Sequence, residues 1–211
     1  MGFKEKTYEL TAGTIIANLA KRNMEGFYCA SKEEAVKCAL SLMEKGAVIA
    51  WGGSESVKEC GLADAIADGS YTLIDRSAAV TPQEQRELFA KTVMSDYYLM
   101  GTNAITVGGE LVNIDGNGNR LASLIHGPKN VIIIAGMNKV TADVESAYKR
   151  VKTQACPPNA VRLGRKLPCA ATGVCADCLA DECFCNQIVV TRRSGHKGRI
   201  KVILVGEELG Y

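Results

Sequence analysis

The cysteines are the residues whose spacing points most directly to chemistry. The chain has nine of them, and five fall within seventeen residues near the C-terminus. A C-x-x-C pair can clamp one soft metal ion between two thiolates, and two further cysteines complete a four-sulfur shell. We therefore expect zinc or an iron–sulfur cluster in a cysteine-rich segment at about residues 156–186. The five clustered residues are Cys169, Cys175, Cys178, Cys183 and Cys185.

Two other interpretations of this cluster stay open at the level of sequence. The cysteines could be reduced structural thiols, or Cys175 and Cys178 could form a redox-active dithiol. The dithiol is disfavoured because thioredoxin-like motifs begin a helix directly after a strand, and no strand is expected before Cys175. Pro168, Gly173 and the alanines near them allow a tight wrap around an ion. The segment has few large apolar residues, so a metal would supply the order that packing does not.

Glycine- and asparagine-rich connections form the second group of candidate functional residues. Trp51-Gly52-Gly53-Ser54 lies between a predicted buried strand and a predicted helix. Glycines at such a position let the backbone approach a ligand, and Ser54 can cap the helix or donate to a carboxylate. The alternative is a plain tight turn.

Residues 101–120 carry more polar side chains than a hairpin turn needs. A rim of this kind suits a small carboxylate or phosphate, with Arg120 as the anion partner. Neither a G-x-G-x-x-G after a strand, nor G-x-x-x-x-G-K-[ST], nor G-x-S-x-G occurs, so no standard nucleotide or hydrolase motif is present. The predicted ligand-binding residues in the two connections are Gly52, Gly53, Ser54, Asn103, Gly108, Gly109, Glu110, Asn113, Asp115, Asn119 and Arg120.

These residues lie on a pattern of alternating helices and strands. Such alternation predicts a mostly parallel sheet with helices on both faces, built as a single domain over residues 1–211. The apolar run 131–135 has the character of a central strand. Helices are predicted at about 7–24, 31–46, 54–62, 82–94 and 143–153, with a short one starting at Asn159 and Arg162. Strands are predicted at 26–30, 47–51, 71–75, 97–100, 104–107, 110–114, 131–135, 187–191 and 199–205.

Composition narrows the class of partner. The 211 residues are 47% hydrophobic and carry a formal net charge of +2, which is too mild for a nucleic-acid partner. No apolar run reaches the roughly 18 residues of a membrane span, and the first residues lack a signal peptide's apolar centre. We therefore expect a cytoplasmic protein with a small-molecule partner and no membrane association. The remaining cysteines are isolated, and those at 29, 38 and 60 are expected to be core residues.

From about Tyr97 to Tyr211 the sequence resembles the LUD-domain, or lactate-utilisation, family. The motifs that carry the resemblance are TNAIT followed by GGELVNIDGNGNR, then GPKNVIIIAGMNKV, PPNAVRLG, PCAATGVCADC and GRIKVILVGEELG. The first hundred residues agree at the level of the fold only. The resemblance implies an α/β fold of the sugar-isomerase and CoA-transferase type. It also implies a pocket that includes Asn103, Gly108, Asn113, Asp115, Asn119 and Arg120, with Arg162 facing it.

The resemblance bears on the metal site and on function as well. It implies Cys169, Cys175, Cys178 and Cys185 as metal ligands, because the family has a different residue at the position of Cys183. Three functions follow as hypotheses. The first is an accessory component of lactate-to-pyruvate oxidation that binds a small carboxylate, works with a separate redox partner subunit and could form a homo-oligomer. The second is a non-catalytic, zinc-stabilised binding or regulatory module, and the third is an isomerase or CoA-transferase-like enzyme with Glu110 as its candidate nucleophile.

Overall fold

The computed structural model describes residues 2–211, apart from the side chain of Ala78. Its helices are α1 (Phe3–Lys21), α2 (Lys32–Ser41), α3 (Glu55–Glu59), α4 (Leu62–Ala65), α5 (Pro82–Val93), α6 (Asn119–Ile125), α7 (Val144–Arg150), α8 (Cys156–Arg162) and α9 (Pro168–Thr172). Its strands are β1 (Glu25–Cys29), β2 (Val48–Trp51), β3 (Thr72–Leu73), β4 (Tyr97–Gly101), β5 (Ala104–Thr106), β6 (Leu111–Asp115), β7 (Asn130–Gly136), β8 (Val140–Thr141), β9 (Gln187–Thr191) and β10 (Ile200–Val205).

Six strands form one parallel sheet in the order β1-β10-β7-β4-β2-β3. The predicted mostly parallel α/β architecture is thus confirmed, and β7 is a central strand flanked by β10 and β4. Each pair is parallel because the chain returns through helices that cross a face of the sheet. The carboxyl ends of the strands therefore meet at one edge, where ligands bind in open α/β sheets.

The two faces of this sheet each bury a separate core. Val131, Ile133 and Ala135 of β7 pack with α1 and α6, whereas Ile132 and Ile134 pack with α2, α3 and α4. Alternate residues of a strand point to opposite faces, so an uninterrupted apolar run is what a strand covered on both sides requires. Helices on both faces are therefore confirmed.

Local capping signals place two of the helices where the sequence predicted them. The Ser31 side chain accepts from the backbone N–H of Glu34 at the start of α2. Thr81 and Glu84 form a reciprocal capping box at the start of α5, with Pro82 at its first position. Such caps satisfy backbone N–H groups that have no partner within the helix.

A second sheet, of four strands in the order β8-β5-β6-β9, was not predicted as a separate layer. Three of its strands were predicted and β8 was not, and only two residues separate β4 from β5. A parallel crossover needs a dozen or more residues, so β5 leaves the first sheet and pairs antiparallel with β6 instead. Helix α6 and helix α9 were also not predicted.

Helix α8 begins earlier than predicted, directly after a π-helical turn at Val151–Ala155. Pro157 and Pro158 have no backbone N–H, so they cannot bond to carbonyls one turn earlier, and the wider turn accommodates their rings. Asn159 and Arg162 consequently lie inside and at the end of α8, not at its start.

Among residues 2–211, none of the helices has the length and apolar character needed to cross a membrane.

Truncating a buried side chain of the central strand β7 should measure how much the core around the first sheet contributes to the free energy of unfolding. We expect Ile133→Ala to lower the free energy of unfolding by roughly 2–5 kcal/mol, because a fully buried side chain leaves a cavity. Ile188→Ala on β9 is the matched control, since 46% of Ile188 is exposed, and should cost less than about 1 kcal/mol. Urea denaturation measures both, and equal losses would contradict the assignment of the core.

Candidate functional site

A cavity of about 450 Å³ lies at the carboxyl edge of the parallel sheet. Gly52 follows β2, Gly101 ends β4 and Lys139 follows β7, so three neighbouring strands open onto it. The second sheet and α8 close the other sides. Eight of the twelve predicted ligand-binding residues line this cavity, which we call the anion pocket. They are Gly52, Gly53, Ser54, Asn103, Asp115, Asn119, Arg120 and Arg162.

Three of the other predicted residues lie elsewhere. Gly108, Gly109 and Glu110 form the turn between β5 and β6, which packs against α1. Glu110 pairs there with Arg22 and accepts from the Thr106 hydroxyl. They do not meet the pocket because the unpredicted second sheet directs this turn away from the carboxyl edge of the first.

Arg120 is held by acceptors from both sheets. Its guanidinium donates to Asn113 Oδ1 at 2.8 Å, to Asn103 Oδ1 at 3.0 Å and to the Ile114 carbonyl at 2.5 Å. Burial lowers its pKa and the Asp115 carboxylate opposes that shift, yet a guanidinium stays charged at any physiological pH. Because its N–H groups already donate to protein acceptors, Arg120 offers a ligand in the pocket a fixed positive charge and few free hydrogen-bond donors.

Asn113, the twelfth predicted residue, lies behind Arg120 and not on the pocket surface. It is fully buried, and its Oδ1 also accepts from the Asn103 backbone N–H at 3.1 Å. The Asn103 side chain in turn accepts from the Ile114 N–H at 3.0 Å. These amides therefore fix the position of Arg120 and join the hairpin to it.

Lys139 is a pocket residue that sequence reasoning missed. It lines the pocket, is only 4% exposed, and donates from Nζ to Ser56 Oγ at 2.7 Å. Burial lowers the pKa of Lys139 from 10.5 to about 7; Arg150 and Arg120 shift it in the same direction, and Glu59 opposes them. The available signal was its position just after the central strand β7, where the carboxyl edge of the sheet receives ligands.

The charge of the pocket is strongly positive. Five basic residues and two carboxylates line it. Glu55 pairs with Arg162 at 3.2 Å, and Asp115 lies 3.9 Å from Arg120. Across residues 2–211, no carboxylate comes within ion-pair distance of the three remaining cations, so their field is available to an anion. These three are Arg76, Lys139 and Arg165.

Gly52 allows the loop after β2 to pass close to the pocket wall. A Cβ at this position would lie 2.9 Å from Tyr98 Oη and 3.8 Å from Arg120 Cδ. Any side chain would therefore displace the tyrosine or fill the space beside the guanidinium. Ser54, by contrast, accepts from the Val57 N–H as the cap of α3, so the predicted capping role is present, while the ligand-binding role of this loop stays a prediction.

The cysteine-rich segment forms one wall of the pocket. Cys156 and Phe184 both line it. Asn186 donates to the carbonyls of Asp115 and Gly116, each at 3.0 Å. A Cβ on Gly116 would come within 2.9 Å of Phe184 Cβ, so the absence of a side chain there allows the segment to pack against the hairpin.

The clustered cysteines come together in two small groups. Cys169, Cys178 and Cys183 pack with Leu167 and neighbouring alanines. Cys185 lies beside Cys156, with 3.5 Å between their sulfur atoms, although Cys156 stands alone in the sequence. Burial raises the pKa of the Cys169 thiol, and the nearby thiols Cys185, Cys175 and Cys178 raise it further.

Proximity of these thiols is not the same as a formed metal site. Within residues 2–211, no group of three or more histidine, cysteine, aspartate or glutamate side chains is arranged to hold a metal ion. The four predicted ligands are near one another, but their sulfur atoms do not already form a coordination shell. The predicted metal site therefore stays a prediction.

Comparison of the sequence with known protein families identifies the family of this chain. The LUD domain family matches residues 13–205. The chain belongs to the LUD-domain family. No functionally curated protein matches the sequence. The LUD-domain fold is also seen in a crystal structure of a DUF162 family protein from Deinococcus radiodurans at 1.70 Å resolution, with a TM-score of 0.54, 15% identity, and coverage of 94% of this chain and 98% of that one.

A second solved structure is more distant from this LUD-domain chain. The crystal structure of eIF2B delta from Chaetomium thermophilum matches with a TM-score of 0.37 and 18% identity, covering 56% of this chain and 50% of that one. We base no argument on that match. The Deinococcus structure agrees in fold and does not identify a ligand.

The depressed pKa of Lys139 can be measured directly in this LUD-domain protein. With carbon-13-labelled lysine, NMR should show one side chain that titrates near pH 7, because its ammonium is buried without a carboxylate partner. A Lys139→Met sample assigns that resonance by its disappearance. A Lys139 midpoint above about pH 9 would contradict the described environment.

Proposed function

We propose that this LUD-domain protein binds a small organic anion, a carboxylate or a phosphate, in the anion pocket. The observation that carries the proposal is Lys139, a buried lysine whose one hydrogen-bond acceptor among residues 2–211 is the neutral hydroxyl of Ser56. Holding an ammonium there without a counter-ion is unfavourable, and a bound anion would offset that cost. Arg120 adds a fixed charge, and the mouth of the pocket adds Arg76 and Arg165.

We further propose an accessory role in the oxidation of lactate to pyruvate, with the electrons carried by a separate redox partner subunit. This part of the proposal rests on membership of the LUD-domain family. A hydroxy acid and its keto acid share the carboxylate that the pocket charge favours. The chain would then bind and position the acid, and the partner would carry out the redox step.

Group-transfer chemistry has less support from the pocket. A transferase of the CoA type would need a glutamate free to act as a nucleophile, and Glu110 lies at the α1 contact with Arg22. Glu55 does line the pocket, but it is engaged by Arg162 at 3.2 Å and by Lys58 at 3.3 Å. We therefore place anion binding ahead of the isomerase or transferase hypothesis.

Anion binding is tested by removing the buried ammonium. Screening C2 to C6 hydroxy and keto acids and inorganic phosphate by thermal shift, then by calorimetry, should give at least one saturable ligand. Lys139→Met should weaken it by about ten- to a hundredfold, because a hydrogen bond to a charged group contributes roughly 1.5–3 kcal/mol. The control is Lys45→Met, a loss of the same charge at an exposed position outside the pocket. Absence of any saturable ligand for the wild type would refute the proposal.

The same titration has a characteristic pH dependence. A bound carboxylate raises the pKa of Lys139 above its free value near 7, so binding takes up a proton when the free amine is neutral. Affinity should be highest below about pH 6.5 and fall by up to tenfold per pH unit above pH 7. Lys139→Met should remove this slope, and a slope that survives the substitution would assign the proton to another group.

We also propose a metal at the C-terminal cysteines, with Cys169, Cys175, Cys178 and Cys185 as its ligands. Residues 173–186 contain neither helix nor strand, and Leu179 is fully exposed. A stretch of this length with little apolar packing gains order from a cross-link. Zinc would act structurally, as in the regulatory-module hypothesis, whereas an iron–sulfur cluster would add electron transfer.

Metal analysis of anaerobically purified protein separates these cases. We expect at least one equivalent of zinc, or of iron with sulfide, in the wild type and a clear loss in Cys178→Ser. Cys38→Ser is the control, because Cys38 lies on α2 away from the cluster. A visible absorption band that bleaches on reduction identifies a cluster, and a colourless zinc protein identifies a structural site. Substoichiometric metal in fresh wild-type protein would overturn the proposal.

A further inference from the structure

A second cavity continues from the anion pocket and differs from it in character. It has a volume of about 1010 Å³ and lies between α5 and the sheet face that carries Tyr98. Arg76, Tyr98, Asn117 and Asn119 line both cavities, so the two spaces share a boundary. We call the second cavity the apolar trough, because Trp51 and the side chains of α5 supply most of its lining.

Helix α5 leaves its apolar side only half covered. None of the twelve residues of α5 is buried, although Leu88, Phe89 and Val93 are partly shielded and all three line the trough. A surface helix of a globular protein usually buries such a stripe against the core. The capping box and Pro82 fix the start of α5, so the helix is well specified while its apolar side faces an open space.

Charge distinguishes the trough from a general apolar surface. Its described lining contains two arginines, Arg76 and Arg86, and no aspartate or glutamate. Arg76 stands at the boundary with the anion pocket, where no carboxylate pairs with it among residues 2–211. An occupant with a negative end toward the pocket and an apolar end toward α5 would match both regions.

We infer that the ligand of this protein is an elongated acid, with its carboxylate or phosphate in the anion pocket and an apolar tail in the trough. The inference rests on the proposed anion binding and extends it to a substrate class, and it is an alternative to the proposed lactate role, whose three-carbon acids would not reach the trough. The two cavities together exceed the 300–1,000 Å³ typical of a site for one small molecule, so a three-carbon acid would leave Leu88 and Phe89 of α5 uncovered. The tail covers the apolar side of α5, and the head meets Lys139.

A series of acids of increasing length tests the tail. Calorimetry of propionate, hexanoate and octanoate below their aggregation limits should show affinity rising at least about tenfold from the first to the last. A fully buried methylene is worth roughly fourfold in affinity, so partial burial of five of them suffices. Methyl phosphate against octyl phosphate repeats the comparison and identifies which acid head is preferred.

Binding of the same acids to the Phe89→Ser variant tests whether the apolar tail lies in the trough. This variant should lose most of the gain from propionate to octanoate and keep propionate affinity within about twofold. Phe3→Ser is the matched control, since Phe3 is 97% exposed and remote from the trough, and it should keep the full gain. Circular dichroism confirms that both variants retain the wild-type fold before binding is measured.

Each contrary outcome has a distinct meaning. If propionate binds but length has no effect, the tail inference fails and the anion pocket stands. If no acid binds at any length, the proposed function itself fails. A length effect that Phe89→Ser leaves intact puts the tail elsewhere and overturns the inference. Wild-type self-association that Phe89→Ser abolishes in sedimentation, together with no length effect, shows that a second copy covers the trough, and this too overturns it.

Discussion

The buried contacts of Arg120 are the interaction on which the site depends. The guanidinium joins α6 to the Ile114 carbonyl of β6 and to Asn103 in the connection from β4. It is the point where the parallel sheet, the second sheet and the pocket meet. A planar group with five fixed donors can satisfy acceptors from several elements at once. The same contact that orients the two sheets therefore also places a permanent positive charge at the carboxyl edge.

Burial is the main cause of the lowered pKa of Lys139, and Arg120 is one of two cations that add to it. The guanidinium contributes to lowering the lysine pKa, and Arg150, whose donors go to the carbonyls of Asn138 and Asn103, contributes more. Two cations that the fold needs for its own contacts thus surround a third that it does not neutralise. Burying like charges together costs stability, and sites that depart from the packing rules of the rest of a fold are commonly functional. An anion bound as proposed would offset that cost at Lys139 and Arg120, which both line the pocket.

Sequence reasoning predicted what depends on near neighbours and missed what depends on distant ones. The strand at 131–135 and the caps at Ser31 and Thr81 follow from residues within a few positions, and all are present. The departure of β5 into another sheet is set by its pairing with β6 and β8, which the local pattern does not encode. Glu110 was wrongly placed in the pocket because its position depends on where the second sheet goes, whereas Lys139 was missed although its position just after β7 is a local signal.

The relation of the cysteines to the pocket follows from the same long-range packing. Cys156 and Cys185 are separated by twenty-eight residues of chain, yet their sulfur atoms lie 3.5 Å apart. Cys156 faces the anion pocket, while Cys185 follows Phe184, whose backbone contacts Gly116. Any change that moves Cys185, such as the capture of a metal, must move Phe184 or be constrained by it. The wall of the anion pocket and the cysteine cluster are therefore packed together, so a shift of the sulfur atoms would change the shape of the pocket.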